Sequence, residues 1–244
     1  MWRIPSLVVL VAFIFSISMG CDSAHKAERT LRVKEIKHQG NPTLEEVKVL
    51  LEKNTDLHAI DQINWDSFPY QPEVRFRIGH HNDQIWLTFY VNEAHVLAQR
   101  TMTNSATHKD SCVEFFVDPL QDGNYYNFEF NAIGVTHLAY GSSRKDRVFV
   151  APKIIESEIK TASSLGTAPF VERSGNMYWE MTIVIPASAF TQTQGLSLKG
   201  LHAKANFYKC GDETSKPHYL SWHPVGTDKP DFHQPLFFGD LFFE

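Results

Sequence analysis

Apolar and polar side chains alternate along two short stretches near the middle of the chain, Cys112–Asp118 and Tyr126–Asn131. Because successive side chains of a strand point to opposite faces of a sheet, each stretch predicts a β-strand with one apolar face. The segment between them contains the turn dipeptides Asp118-Pro119 and Asp122-Gly123, which predict a hairpin. The apolar face carries Val113, Phe115, Val117, Phe128 and Phe130, and the other face carries Cys112, Glu114, Asp118, Asn127, Glu129 and Asn131. This polar face is either the solvated side of a sandwich or a binding surface with aromatic side chains at its rim.

Alternation recurs along most of the remaining chain. It predicts further strands near residues 31–36, 74–78, 85–91, 135–140, 147–154, 179–185, 201–210 and 219–222, and residues 237–243 close the chain. One helix is predicted after Thr43, because Thr43 and Glu46 have the spacing of a capping box and an apolar stripe follows, made of Leu44, Val47, Leu50 and Leu51. Short strands at this spacing predict an all-β fold, namely an antiparallel β-sandwich of the jelly-roll or immunoglobulin-like kind with one short N-terminal helix.

Composition narrows the class of protein. The chain has 244 residues, of which 43% are hydrophobic, and this is enough for one sizeable core. A formal net charge of −5 and the lack of a run rich in Lys and Arg argue against a nucleic-acid partner. The sequence contains no GxSxG, P-loop or HExxH motif and no GxGxxG that opens a helix, so the common motif-defined enzyme classes lack support.

The N-terminus predicts export. Arg3 lies in a short positive region, and a nearly unbroken apolar run follows from Ile4 to Met19. The run is too short for a persuasive membrane span and is typical of a signal peptide. Its end, Ser18-Met19-Gly20-Cys21, resembles a bacterial lipobox, which implies cleavage before Cys21 and lipidation of that residue. The predicted organisation is a leader over residues 1–20, a tether over 21–30 and one domain over 31–244, anchored in the cell envelope at the outer membrane of a Gram-negative bacterium.

Cys112 and Cys210 are the two cysteines that remain in the mature chain. Alternation places both on the same side of the predicted sandwich, and an oxidising compartment permits them to pair. The sequence leaves two interpretations open, a disulfide between Cys112 and Cys210 or two independent buried thiols.

Glu114 and Glu129 are the strongest candidates for chemistry, because they share the polar face of neighbouring strands. Paired carboxylates bond sugar hydroxyls, as do the amides of Asn127 and Asn131, and the same pair is what a glycoside hydrolase uses as acid and nucleophile. A sugar ring also needs a flat apolar surface. The candidate stacking residues are Tyr125, Trp222 and Phe232.

The ordered motifs of the chain resemble the family 9 carbohydrate-binding modules, and more closely the divergent variety found in bacterial lipoproteins. The resemblance covers residues 56–244. It rests on Ile85–Glu93 (IWLTFYVNE), Asp110–Asp118 (DSCVEFFVD), Tyr125–Asn131 (YYNFEFN), Trp179–Pro186 (WEMTIVIP), Ser221–Pro224 (SWHP) and Phe232–Leu241 (FHQPLFFGDL).

The resemblance implies a β-sandwich without catalytic activity that binds glucan or xylan, often at chain ends, in support of polysaccharide breakdown by glycoside hydrolases of the same envelope. The strand carboxylate of the family carries over as Glu114, and one of its two sugar-clamping aromatics falls at Phe232. The other falls in the segment 107–109, which has no aromatic clamp residue, and a family arginine falls at Glu129. Some members hold structural calcium, for which the oxygen-bearing candidates are Asp118, Asp122 and Asn124.

Two further function classes stay open from the sequence. One is a hydrolase of O-glycosyl bonds that uses Glu114 and Glu129. The other is a related DOMON-like sandwich that binds haem or carries out redox chemistry, for which Met102 and His137 would be the available axial ligands.

Overall fold

The computed structural model describes residues 1–2 and 29–244. Residues 3–20 of the predicted leader, the lipidation site Cys21 and all but the last two residues of the predicted tether lie outside these ranges. The first strand begins at Thr30, the last residue assigned to the tether. No helix within the described ranges is long and apolar enough to cross a membrane.

Fourteen strands and two α-helices form within the described part of the chain. The strands are β1 (Thr30–Glu35), β2 (His58–Ala59), β3 (Gln62–Ile63), β4 (Glu73–His81), β5 (Gln84–Ala98), β6 (Cys112–Asp118), β7 (Tyr125–Asn131), β8 (Thr136–Gly141), β9 (Arg147–Phe149), β10 (Lys160–Ser163), β11 (Phe170–Pro186), β12 (His202–Cys210), β13 (Tyr219–Ser221) and β14 (Gly239–Phe243). The helices are α1 (Leu44–Asn54) and α2 (Pro152–Glu158).

The strands form two sheets that share β1. One sheet has the order β10-β11-β5-β4-β1, with β2 beside β4, and the other has the order β1-β14-β12-β6-β7-β8-β9, with β13 beside β12 and β3 beside β13. The first half of β1 pairs in parallel with β14 and its second half pairs in parallel with β4, so this strand passes from one sheet to the other. Every other strand pair among the described residues is antiparallel.

The apolar faces of the two sheets pack against each other. The rings of Phe76 on β4 and Phe207 on β12 stack across the interface with centroids 4.0 Å apart, and Phe207 also stacks on Phe115 of β6. The predicted apolar face of the hairpin lies in this core, which contains Val113, Val117, Phe128 and Phe130. The predicted all-β sandwich is therefore confirmed.

Helix α1 begins where the capping box predicts. The Thr43 hydroxyl accepts the backbone N–H of Glu46, and the Glu46 carboxylate accepts the backbone N–H of Thr43 at 2.8 Å. Two such bonds satisfy amide groups that the first turn of a helix leaves free. The apolar side of α1 buries Val47 and Leu51 against Trp86 of β5, so the stripe is a packing face.

Helix α2 is an addition that the alternation pattern does not predict. The predicted strand over residues 147–154 ends as β9 at Phe149, and Pro152 then opens the helix. Proline suits the first helical position because that residue has no intrahelical N–H bond to lose. Ile155 and Ile159 anchor this segment in the core.

The polar face of the central hairpin is covered rather than solvated. Strands β6 and β7 are buried along their whole length. A second apolar cluster lies over this face and contains Trp65, Phe116, Tyr125, Tyr208, Val225, Phe232 and Phe238. Residues 225–238 and the segment around Trp65 thus cover the polar face of the hairpin. The candidate site lies beneath and beside this cover.

Candidate carbohydrate-binding cavity

A cavity of about 100 Å³ opens above the polar face of β6, β7 and β12. Each of its walls comes from a different part of the chain, since the sheet forms the floor and loops form the sides. The lining residues are His108, Glu114, Glu129, Arg144, Arg147, Cys210, Asp212, Tyr219, Pro230, Asp231, Phe232 and His233. We call this feature the hairpin cavity.

Glu129 is the best-connected acidic group of the hairpin cavity. Its carboxylate accepts hydrogen bonds from the Thr107 hydroxyl at 3.0 Å and from the Asn127 amide at 2.9 Å, and the His108 Nδ1 atom lies 3.7 Å away. Burial alone would raise the pKa of Glu129, but the proximity of His137 and of His108, which lies at ion-pair distance, outweighs burial and holds the pKa well below its usual range. Glu129 is therefore an ionised acceptor at the cavity floor.

Glu114 lies directly opposite Glu129 in the register of β6 and β7. Burial first, and the charge of Glu129 second, raise the pKa of Glu114 well above its usual range. The Cys210 thiol donates a hydrogen bond to the Glu114 carboxyl at 3.1 Å. The two carboxyl groups therefore differ in protonation, because two adjacent buried carboxylates repel each other.

Two arginines complete the rim, and both come from the hairpin of β8 and β9. Arg144 forms an ion pair with Asp231 at 3.1 Å, and the Arg147 guanidinium lies 3.4 Å from His233 Nε2. Because β8 pairs with β7, this hairpin extends beside the predicted one. The rim of the hairpin cavity thus carries two positive charges from this hairpin.

The aromatic part of the wall consists of Phe232 and Tyr219. The Phe232 ring stacks on Tyr208 with centroids 4.1 Å apart, so its orientation is fixed. The Tyr219 ring lies edge-on to Phe232, with ring centroids 6.1 Å apart, and edge-on to Trp65, with centroids 6.3 Å apart. These rings give the hairpin cavity an apolar side facing its charged residues.

Several predicted contact residues lie elsewhere. Trp222 is 3% exposed and packs in the main core edge-on to Phe207, so its prediction as a stacking residue is corrected. Tyr125 is 1% exposed and its hydroxyl hydrogen-bonds His233, which makes it a support behind the wall. Asn131 is buried and its amide donates to the carboxylate of Asp110, away from the cavity. Its interpretation as a sugar contact is also corrected.

Of the predicted residues, Glu114, Glu129 and Phe232 do come together in the hairpin cavity, with Asn127 hydrogen-bonded to Glu129 just behind it. Sequence analysis did not identify Arg144, Arg147 or Asp212 as site residues. His108 lies in the segment 107–109, which sequence analysis marked only as lacking an aromatic clamp residue. The order of the strands and the paths of the loops bring these residues to the site. No local sequence pattern predicts that they would meet there.

Cys112 and Cys210 are directly opposed on β6 and β12 and are free thiols in the structure. Their sulfur atoms and a Glu114 carboxylate oxygen lie within 4.8 Å of one another. The structure therefore brings the two thiols together without a bond between them, and the predicted disulfide stays a prediction.

The predicted calcium ligands lie in one turn, in which both Asp118 oxygens and one Asp122 oxygen accept backbone hydrogen bonds. The Asp118 carboxylate accepts the backbone N–H groups of Leu120, Asp122 and Gly123, and Asp122 accepts the N–H of Asn124. Calcium takes six to eight oxygen ligands, more than these three side chains supply, and structural calcium here stays a prediction.

The possible haem ligands do not converge. Met102 is 72% exposed, whereas His137 is 5% exposed and packs edge-on against Phe149. The structure offers no pocket that these two side chains share among the described cavities.

The fold and the cavity are those of a β-sandwich with one concave site lined by charged and aromatic side chains, and comparison with known proteins specifies its family. The chain belongs to carbohydrate-binding family 9, whose profile matches residues 45–243. A crystal structure from Bacteroides uniformis, of a protein with the provisional description "carbohydrate-binding protein", is 42% identical with a TM-score of 0.85. That alignment covers 89% of this chain and 100% of the other.

Two more distant structures share the fold. Both are a family 9 carbohydrate-binding module from Caldicellulosiruptor kristjanssonii. The complex with glucose is 13% identical, with a TM-score of 0.56 and coverage of 88% of this chain and 96% of the other. The complex with cellotriose is 15% identical, with a TM-score of 0.56 and coverage of 88% and 94%. No curated protein sequence matches the chain.

Proposed function

We propose that this protein binds the end of a xylan- or glucan-type chain in the hairpin cavity without cleaving it. The observation that carries the proposal is the meeting of ionised Glu129 with Phe232, Tyr219 and two arginines in one concave site. A sugar presents hydroxyls at its edge and C–H groups on its face, so it needs charged hydrogen-bonding groups and an aromatic surface together. The related modules that hold glucose and cellotriose support this ligand class.

The size of the cavity favours a chain end over the middle of a chain. A volume of about 100 Å³ is below the roughly 300–1,000 Å³ typical of pockets that enclose a whole drug-sized ligand. One terminal sugar unit would enter, and the following units would lie across the rim beside Arg144 and Arg147. Affinity should be modest. At about 0.3 kcal/mol per non-hydrogen atom, a disaccharide of roughly 23 such atoms would bind with a Kd of about 10 μM.

The cellular role is part of the same proposal. Lipidation at Cys21 would tether the domain to the cell envelope, where it would hold polysaccharide fragments for glycoside hydrolases. The predicted lipobox supports the anchor, and the Bacteroides uniformis relative supports carbohydrate binding. Metabolic labelling with an alkyne fatty acid would label the wild type and leave Cys21→Ser unlabelled, and equal labelling of both would contradict it.

The binding test combines a glycan-array screen with titration calorimetry on cello- and xylo-oligosaccharides. Glu129→Gln removes a charged acceptor, and hydrogen bonds to charged groups contribute about 1.5–3 kcal/mol, so affinity should fall roughly 10- to 150-fold. The matched control is Glu73→Gln, an exposed carboxylate on the other sheet, which should bind as the wild type does. No binding of the wild type to any glycan would refute the proposal.

A hydrolase is the second candidate, and one observation favours it. Glu114 with a raised pKa beside ionised Glu129 is the division of roles that a glycosidase needs for its acid and its nucleophile. Prolonged incubation with the array's positive ligands distinguishes the two functions. Release of new reducing ends by the wild type and not by Glu114→Gln would establish hydrolysis, whereas intact ligand would support binding alone.

A further inference from the structure

Three buried side chains with potential metal-binding atoms, those of Cys112, Glu114 and Cys210, lie together at the wall of the hairpin cavity. Cys112 and Glu114 are two residues apart on β6 and so share a face of that strand, while Cys210 faces Cys112 from β12. All three side chains are at most 2% exposed. One sulfur atom from each cysteine and one carboxylate oxygen lie within 4.8 Å of one another.

The spacing of these atoms is close to that of ligands around a tetrahedral ion. With Zn–S bonds of about 2.3 Å and Zn–O bonds of about 2.1 Å, neighbouring sulfur and oxygen ligands are separated by roughly 3.6 Å. The Cys210 Sγ atom and the Glu114 Oε1 atom are 3.1 Å apart. Small side-chain shifts would therefore open the space for an ion, and no strand needs to move.

The types of ligand select the ion. Calcium and magnesium prefer all-oxygen sites, so two sulfur ligands disfavour them. Copper(I) prefers sulfur alone, whereas zinc accepts thiolates and a carboxylate in one site. Two strand thiols and one carboxylate are thus a zinc-type set with three protein ligands.

Access also fits an ion. Glu114 and Cys210 line the hairpin cavity, which leaves a path from solvent and a fourth coordination position for water.

We propose that the reduced protein binds one Zn²⁺ ion through Cys112, Cys210 and Glu114 at the edge of the hairpin cavity. Binding forms two Zn–S bonds and one Zn–O bond, and the two thiol protons and any proton on Glu114 pass to solvent. No oxidant or reductant takes part. The predicted disulfide is the alternative, oxidised state of the same two sulfur atoms and would exclude the ion. The proposal does not rest on sugar binding.

The test uses the full chain with Cys21→Ser, so that Cys112 and Cys210 are its only thiols. The protein is reduced with a phosphine, freed of metal and titrated with Co²⁺ as a spectroscopic probe. We expect thiolate-to-cobalt charge-transfer absorption that saturates at one ion per chain and disappears when Zn²⁺ displaces the cobalt. The absence of this absorption from the reduced, folded protein would overturn the proposal without any variant.

Variants then assign the ligands. Loss of an outer-shell partner already weakens metal sites about 10- to 100-fold, so Cys112→Ser and Cys210→Ser should each lose at least as much Zn²⁺ affinity. Glu114→Gln should keep the charge-transfer absorption and bind more weakly. Asp122→Asn, in the exposed turn, is the control and should match the parent. Unchanged affinity in both serine variants, with wild-type circular dichroism, would contradict the assignment.

Discussion

A buried ion pair joins the two sheets behind the candidate site and allows a quantitative prediction. Lys209 Nζ on β12 lies 2.8 Å from Glu93 Oε2 on β5, and both side chains are fully buried. The Trp179 indole N–H donates to the other Glu93 oxygen at 2.8 Å, and His218 Nε2 lies 2.6 Å from Lys209 Nζ. Lys209 is thus the only cation within hydrogen-bond distance of Glu93 among the described residues, unless His218 takes up a proton.

Lys209→Met removes this cation and keeps most of the side-chain volume. Breaking a buried pair by removing one partner costs about 3–5 kcal/mol, because the remaining charge stays buried without compensation. For a domain of this size, about 2–4 °C of Tm is lost per kcal/mol, so the Tm should fall by about 6–20 °C. The double variant Glu93→Gln/Lys209→Met should recover much of the loss, since neither charge is then buried.

The pH dependence of this loss is a sharper signature. In the wild type, burial and then the charge of Lys209 hold the pKa of His218 well below its usual value. The unfolded chain therefore binds more protons below about pH 6.5, and this one group lowers stability by up to about 1.4 kcal/mol per pH unit as the pH falls. Without Lys209, His218 faces Glu93 at 3.7 Å, and its folded pKa should rise. A raised pKa adds stability at low pH, so the variant should lose less relative to the wild type at pH 5.5 than at pH 7.5.

Denaturant unfolding at pH 5.5, 6.5 and 7.5 measures both effects. The control is Lys199→Met, which breaks the exposed pair with Glu35 and should cost less than about 1 kcal/mol at every pH. A cost below about 1 kcal/mol for Lys209→Met at pH 7.5 would refute the argument about the uncompensated charge. A cost that does not change with pH would refute the role given to His218.

Three further predictions concern a hairpin at the site, a buried carboxylate away from it and the two thiols. Gly141→Ala should weaken sugar binding and lower Tm, because an added Cβ would overlap the Asp146 carbonyl oxygen and displace the β8–β9 hairpin; calorimetry and thermal unfolding check this. Asp110→Asn should cost about 1–3 kcal/mol in denaturant unfolding, because the buried carboxylate accepts two backbone N–H groups and two side chains, which an amide cannot all satisfy. Oxidation of the Cys21→Ser chain should lower the thiol count from two to none by linking Cys112 to Cys210, and equal counts with and without reductant would contradict the disulfide.

The sequence predicted those parts of the fold that depend on local patterns. Alternation in β6 and β7 identified the core face, because a strand's side chains must alternate whatever surrounds them. The capping box of Thr43 and Glu46 placed the start of α1 for a similar reason, since both partners lie within one turn. These features need no knowledge of distant residues.

The parts that failed depend on which distant segments meet. Alternation shows which face of β6 is polar, but not that residues 222–238 fold over it and leave only a cavity. Trp222 illustrates this, because its alternation with Leu220 fits a core position and a surface position equally well, and the packing of Phe207 decides between them. The arginines of the β8–β9 hairpin reach the site only because β8 pairs with β7.

The central claim is that the hairpin cavity receives the end of a sugar chain. A crystal structure of the protein with a bound cello- or xylo-oligosaccharide tests it most directly. The account predicts a terminal sugar unit with a hydroxyl within hydrogen-bond distance of Glu129 and its ring beside Phe232 or Tyr219, with later units passing Arg144 and Arg147. An oligosaccharide bound elsewhere on the sandwich, with the hairpin cavity holding only water, would contradict it.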